Sequence, residues 1–196
     1  LKVAVLFTGA GSTGKTTMLN TLYNYFVSLG LSVSIISEFI RNLIKKGVLS
    51  KVDVNADDYN QIIITSELLL QFFEKFEENL DLLIAERSPI DTLAYSRHRK
   101  DFSEYINCLN ERFLKIIVDY CNKNYEVLCF YFPPVLPFEE DGIRDREGQK
   151  IIDNEILNIL KEFNIKYITV SETSFGKRFD FIKDKILEYF QISSRV

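Results

Sequence analysis

The chain has 196 residues, 46% of them apolar, and 24 Lys and Arg stand against 28 Asp and Glu for a net charge of −4. That length suits one domain able to remove roughly 70% of its extended surface from water, and the acidic balance argues against broad counterion-driven binding to nucleic acid. Three cysteines, Cys108, Cys121 and Cys129, stand at no metal-ligand spacing, and their odd number argues against a disulfide framework. No apolar run approaches the length of about 20 residues that a membrane helix needs, and no basic-then-apolar leader opens the chain, so a soluble cytoplasmic protein is expected. Without repeats, low-complexity tracts or Gly/Ser-rich linkers, residues 1–196 read as a single domain.

In chain order, the first predicted element is a strand at KVAVLF (2–7), followed by the loop GAGSTGKTT (9–17). A helix is predicted from Lys15 to Leu29, with Leu19, Leu22, Phe26 and Leu29 on one face and Gly30 placed to close it. SVSIIS (32–37) predicts a second strand. A long helix beginning near Asp57 and Asp58 carries Tyr59, Ile62, Ile63, Leu69, Leu70, Phe73 and Phe76 at helical spacing, and its aromatics are expected in the core. LLIAE (82–86) predicts a third strand, after which Ser88, Pro89 and Asp91 form a capping serine, a first-turn proline and the acidic end of a capping box. EVLCFYF (126–132) and KYITVS (166–171) predict the last two strands. Helices at 149–163, with Ile152, Ile156, Ile159, Leu160 and Phe163, and at the C-terminus, with Phe175, Phe179, Ile182, Ile186 and Phe190, complete the pattern.

Strands that are apolar nearly throughout, alternating with helices, imply an α/β fold: a five-stranded parallel sheet covered on both faces. Ligands in such folds sit at the C-terminal edges of the strands, so chemistry is sought where each strand ends. After the first strand, Gly9 to Thr16 satisfies the full G-x-x-x-x-G-K-S/T pattern between a strand and a helix. Gly9, Gly11 and Gly14 let the backbone wrap closely, and the N–H groups of Ser12, Thr13, Gly14, Lys15, Thr16 and Thr17 are candidates to face phosphates. Lys15 would reach the β- and γ-phosphates of ATP, and Thr16 would hold Mg²⁺.

The second strand ends in Ser37-Glu38. A carboxylate here could take the proton of an attacking hydroxyl, and Arg41, one helical turn later, could bind an acceptor or a phosphoryl group. An acidic first-turn residue favoured by the helix dipole, with Arg41 merely solvated, accounts for the same residues. The third strand ends in Glu86-Arg87, where the carboxylate could orient Mg²⁺ beside Thr16 and the guanidinium is carried to the same edge. Past the fourth strand, PFEEDGIRDREGQK (137–150) brings Arg144 and Arg146 into a charged loop placed to act as a lid over about 136–150, although a solvated charge run is the commoner fate of such segments.

Taken together, GAGSTGKTT, SEFIR, AERSPIDTLAY and PFEEDGIRDREG resemble the motifs of P-loop kinases, and the nicotinamide riboside kinase-like ATPases in particular. The resemblance spans roughly residues 3–180. Deoxynucleoside kinases look similar at the glutamate after the second strand and at E-R-S after the third. The resemblance implies a three-layer, nucleotide-kinase-like P-loop fold whose P-loop strand lies beside the Glu86 strand. It further implies Glu38 as general base, Glu86 as the metal-associated acid, Arg87 on the acceptor or phosphoryl group, and Arg144 and Arg146 as lid arginines. Glu86 departs from the aspartate common in that family, which puts its reach to Mg²⁺ in question.

The function this predicts is transfer of the γ-phosphoryl group of ATP to a hydroxyl of a nucleoside-like small molecule. One alternative acceptor is a polynucleotide end or a modified base in DNA, suggested by the string Arg97-His98-Arg99-Lys100 and by Arg41, Lys45 and Lys46. Another reading is a non-catalytic GTP- or ATP-binding regulatory module. Against GTP, Asn122-Lys123-Asn124-Tyr125 lacks the aspartate of a guanine-reading element, and Asp145-Arg-Glu-Gly148 follows no apolar strand. The sequence leaves the acceptor and the oligomeric state open; a homodimer is compatible with it, and no membrane partner is expected.

Overall fold

The structure is a computed structural model that describes residues 2–37, 43, 45–48, 58–98, 103–137 and 146–193, the last three by backbone alone. Five strands form one parallel sheet: β1 (Val3–Thr8), β2 (Val33–Ile36), β3 (Leu82–Ala85), β4 (Glu126–Tyr131) and β5 (Ile168–Thr169), in the spatial order β2-β3-β1-β4-β5. Six helices accompany them among the described residues: α1 (Lys15–Ser28), α2 (Asp58–Glu77), α3 (Pro89–His98), α4 (Glu104–Asn124), α5 (Arg146–Glu162) and α6 (Phe175–Ser193).

β1 is buried at all six positions because both faces of the sheet are covered. Its odd residues Val3, Val5 and Phe7 pack with Met18, Leu22 and Phe26 of α1 and Ile182 and Ile186 of α6. The even residues Ala4 and Leu6 join a second core built from α2, α3, α4 and α5. Period-two alternation along one strand thus fixes a three-layer sandwich. α1 ends as expected: Gly30 takes φ 82°, its N–H donates to Val27 O at 2.9 Å, and Leu31 N–H donates to Phe26 O at 3.3 Å, a Schellman turn.

Three expectations need correction. On α2, Tyr59, Ile62, Leu70 and Phe73 are exposed, Tyr59 by 69% and Leu70 by 57%. The buried line is Ile64, Leu68, Phe72 and Phe76. Apolar residues run nearly all round this helix, so periodicity admits two faces. Packing on α4 selects one: Phe76 stacks on Tyr120 with centroids 4.1 Å apart, and Thr65 Oγ1 donates to Asn110 Oδ1 at 2.7 Å. The predicted fifth strand shrinks to two residues, since β5 is an edge strand paired only to β4. Phe175, expected on the buried face of the last helix, is exposed in its first turn. In addition, α4 forms over a segment with no predicted element, with Ile106, Phe113, Leu114, Ile117 and Cys121 buried.

Arg97, at the end of α3, is drawn into an ion cluster rather than left as a basic surface. Its Nη2 lies 2.7 Å from Glu111, and its Nη1 lies 2.6 Å from Glu162 and 3.5 Å from Glu155. Hydrogen bonding to Glu162 foremost, with Glu111 adding, holds its pKa above the ordinary range. It ties α3 to α4 and α5, which weakens the case for a nucleic-acid face at 97–100; Arg99 and Lys100 lie outside the described residues.

Burial pushes the Cys121 thiol up to about 12 and raises that of Cys129 as well, while Cys108 is exposed on α4. The thiolate is the reactive form. Brief maleimide treatment of the native protein at neutral pH is therefore expected to modify Cys108 alone, as read by peptide mass spectrometry. Rapid labelling of Cys121 or Cys129 would contradict this packing.

Candidate functional site

Parallel registers bring the strand ends together. Leu6 pairs with Ala85 and Ile36 pairs with Ala85 from the other side, so β1, β3 and β2 end on one edge. Glu86 N–H continues that edge by donating to Ile36 O at 2.8 Å. The loop after β1 wraps here because two glycines permit it. Gly9 sits so close to β4 that a Cβ would lie 2.5 Å from Phe132 O, and Gly14, which precedes α1, takes φ +84°. Thr13 is buried and its Oγ1 donates to Ala10 O at 3.1 Å.

Lys15 heads α1 with its ammonium folded onto the loop. Nζ donates to Gly9 O at 2.6 Å, to Ala10 O at 2.8 Å and to Thr13 Oγ1 at 3.2 Å. Thr16 and Thr17 follow on the exposed first turn. Thr16 Oγ1 donates to Glu86 Oε1, although the two residues are 70 positions apart, and Glu86 is only 3% exposed. The glutamate at the strand end therefore reaches the hydroxyl expected to share its metal. A hydroxyl and a carboxylate side by side are hard oxygen donors of the kind Mg²⁺ takes alongside phosphates. Among the described residues there is no cluster of three or more His, Cys, Asp or Glu that could hold a metal by protein ligands alone. Magnesium fits this donor set; a self-contained protein cage does not.

Arg87 stands half-buried after Glu86, its guanidinium 5.9 Å from the centre of the Tyr95 ring. Arg146 is exposed at the first residue of α5. Glu38, Arg41 and Arg144, and most of the proposed lid, lie outside the described residues.

Four residues near the loop were not singled out as site residues by the sequence. Asp91, read there as a cap, does receive Ser88 N–H at 3.2 Å, but its other oxygen accepts Thr8 Oγ1 at 2.8 Å and Gly9 N–H at 3.0 Å. It therefore bolts α3 to the start of the P-loop. Replacing this buried carboxylate by alanine strands those donors, and Asp91→Ala is expected to cost about 3 kcal/mol in chemical denaturation. A loss below about 1 kcal/mol would show the bolt to be dispensable.

From the other side, Gln149 of α5 donates to Gly11 O at 2.7 Å. One turn on, Asp153 accepts from Tyr131 Oη at 2.7 Å. Burial raises the Asp153 carboxyl above its usual range, partly offset by the Tyr131 hydrogen bond and the nearby Lys15 ammonium. Arg178 of α6 donates from Nη1 to Thr13 O at 2.7 Å. For Arg178 a signal existed: it lies four and eight residues before Ile182 and Ile186, on the buried face of its helix. For Gln149 and Asp153 the contacts depend on how α5 returns to the loop, which no local pattern states.

No curated protein matches the sequence significantly. Among solved structures, the chain is similar to a NadR protein in complex with NAD and AMP-PNP, at 15% identity and a TM-score of 0.64, covering 96% of this chain and 49% of that one. The chain thus spans about half the length of NadR. It is also similar to thymidylate kinase from Ehrlichia chaffeensis, at 17% identity and a TM-score of 0.56 over 96% of this chain and 98% of that one. YorR from Bacillus subtilis, in complex with phosphorylated GDP, gives 14% identity and a TM-score of 0.57 over 99% of both chains. These likenesses show a shared fold: a parallel α/β sheet of the nucleotide-kinase kind carrying a P-loop. A family described as AAA domain matches residues 4–178, nearly the whole sequence, and the chain belongs to that family.

Proposed function

We propose that the chain is an ATP-dependent kinase that transfers the γ-phosphoryl group to a hydroxyl of a nucleoside-like small molecule. The observation that carries this reading is the joining of Thr16 to Glu86 beside a complete P-loop. An oxygen pair suited to a metal, beside loop N–H groups able to cradle phosphates, supports a triphosphate bound with its metal at this edge. Magnesium, when bound, supplies neutralisation of charge on the phosphate oxygens.

The chain's own residues divide the remaining work. Lys15 exchanges its loop carbonyls for the β- and γ-phosphate oxygens and stabilises charge as the phosphoryl group moves. Glu38, which follows Ser37 in the sequence, takes the proton of the attacking hydroxyl. Arg87 and Arg41 hold the acceptor or the transferring group, and Arg144 and Arg146 close over the phosphates as lid arginines. The names of the similar structures, a thymidylate kinase and proteins in complex with NAD and a nucleotide, support a nucleoside-like acceptor.

Incubation with γ-labelled ATP, Mg²⁺ and a panel of nucleosides, nicotinamide riboside, nucleoside monophosphates and a 5′-hydroxyl oligonucleotide tests the reading. Label is expected in a nucleoside-like small molecule. Label in the oligonucleotide alone would move the acceptor to polynucleotide ends. Tight GTP binding with no labelled acceptor would replace the kinase with a regulatory binding module.

A further inference from the structure

Arg178 is a cation where burial makes a cation costly. It is 2% exposed, its Nε donates to Glu172 O, its Nη1 donates to Thr13 O at 2.7 Å, and its guanidinium lies 5.8 Å from the centre of the Phe132 ring. Its Nη2 is buried without a hydrogen-bond partner, and no carboxylate among the described residues pairs with the group. Burial alone pulls its pKa below the ordinary value. Buried charges in folded proteins are ordinarily matched by an opposite charge, so this one calls for an anion.

The geometry says which anion. Thr13 O and Gly14 N–H belong to one peptide, planar and trans, in which carbonyl and amide point in opposite directions. With Arg178 holding the carbonyl side, the Gly14 amide faces away from the guanidinium. Position 14 has no room for a larger residue without a shift of its neighbours: a Cβ there would lie 3.1 Å from Arg178 Nη1 and 3.2 Å from Leu136 Cδ1. Donation to a carbonyl also polarises the amide of the same peptide and strengthens it as a donor.

We propose that Arg178 is a positioning residue of the phosphate cradle, clamping the Thr13–Gly14 peptide so that the Gly14 amide meets a polyphosphate chain on the far side of that peptide, whose negative charge offsets this buried cation across it. The proposal rests on the P-loop binding a nucleoside triphosphate, as in the function proposed above. It adds the C-terminal helix to the binding machinery. It also gives a reason for an arginine on a face that otherwise buries Ile182 and Ile186.

The test is calorimetric titration of the full chain and its Arg178 variants with tripolyphosphate and with MgATP, at a temperature where circular dichroism shows each variant folded. Arg178→Met is expected to weaken both ligands by about tenfold or more, the scale of one charge-assisted hydrogen bond. Arg178→Lys, which keeps the charge, should recover part of that loss. A purely structural arginine would lower the melting temperature yet leave the affinity of the folded protein unchanged, and that result overturns the proposal. If Arg178→Met does not fold, Arg178→Gln, with an amide donor but no charge, carries the same comparison, and wild-type affinity in it is equally fatal. Absence of tripolyphosphate and MgATP binding by the unaltered chain would overturn both this proposal and the reading beneath it, whereas normal binding insensitive to position 178 would remove this proposal alone.

Discussion

Lys15→Ala is expected to abolish phosphoryl transfer, lowering it by about a thousandfold or more while the protein stays folded. The side chain is the one primary ammonium that the P-loop itself positions, and its three hydrogen bonds to Gly9 O, Ala10 O and Thr13 Oγ1 hold it within the loop. In the proposed transfer, removing it takes away a full positive charge from the place where negative charge would shift between phosphate oxygens, and no other residue of the loop carries a cation to substitute. Gly9 and Ala10 are buried, so beside the cost in rate the carbonyls that lose their donor also cost stability, on the order of 1–3 kcal/mol. Transfer of label from γ-labelled ATP, paired with a thermal melt, separates the two. An alanine variant retaining more than about a tenth of the activity would remove Lys15 from the transfer step.

Glu38→Gln is expected to lower turnover by about a hundred- to ten-thousandfold, the range a positioned general base contributes, while ATP binding is spared. The amide keeps the size and hydrogen-bonding shape of the carboxylate but cannot accept the proton. The effect should therefore fall on kcat with the true acceptor, and the nucleotide titration should be unmoved. Glu86→Gln differs in kind: it would weaken the pairing with Thr16 and the dependence on Mg²⁺. Wild-type turnover in Glu38→Gln would require another base.

Much of the frame was legible before any coordinates. The nearly unbroken apolar character of β1, β3 and β4 announced a sheet covered on both faces, and the P-loop signature located one ligand-facing edge of it. The adjacency of β1 and β3, expected from the motif resemblance, is observed in the sheet order. What failed failed for physical reasons. α2 is apolar on more than one side, so only its partners on α4 could decide between Phe72 and Phe73 as core residues. β5 shortened because an edge strand needs no more than its pairing to β4 sustains.

At the candidate site, the motif residues stand out in the sequence and the residues that brace the loop do not. Thr16 and Glu86 could be named from their positions after strands, yet their meeting is a tertiary fact. Asp91 carried a sufficient local explanation as a cap, and that sufficiency hid its second task at Thr8 and Gly9. Gln149, Asp153 and Arg178 approach the loop from α5 and α6, far along the chain, and no spacing rule links them to residues 9–17. Residues that make chemistry from a local motif can be read in one dimension. Residues that hold the motif in place are chosen by the fold.

The measurement that bears most directly on the account is a crystal structure of the full chain with AMP-PNP, Mg²⁺ and the acceptor that the label panel identifies. The metal is expected beside Thr16 and Glu86, with Lys15 turned from its loop carbonyls to the phosphates and the acceptor hydroxyl lying between the Glu38 carboxylate and the γ-phosphorus. A Glu38 side chain directed away from that phosphorus, or a metal held without Glu86, would contradict this arrangement.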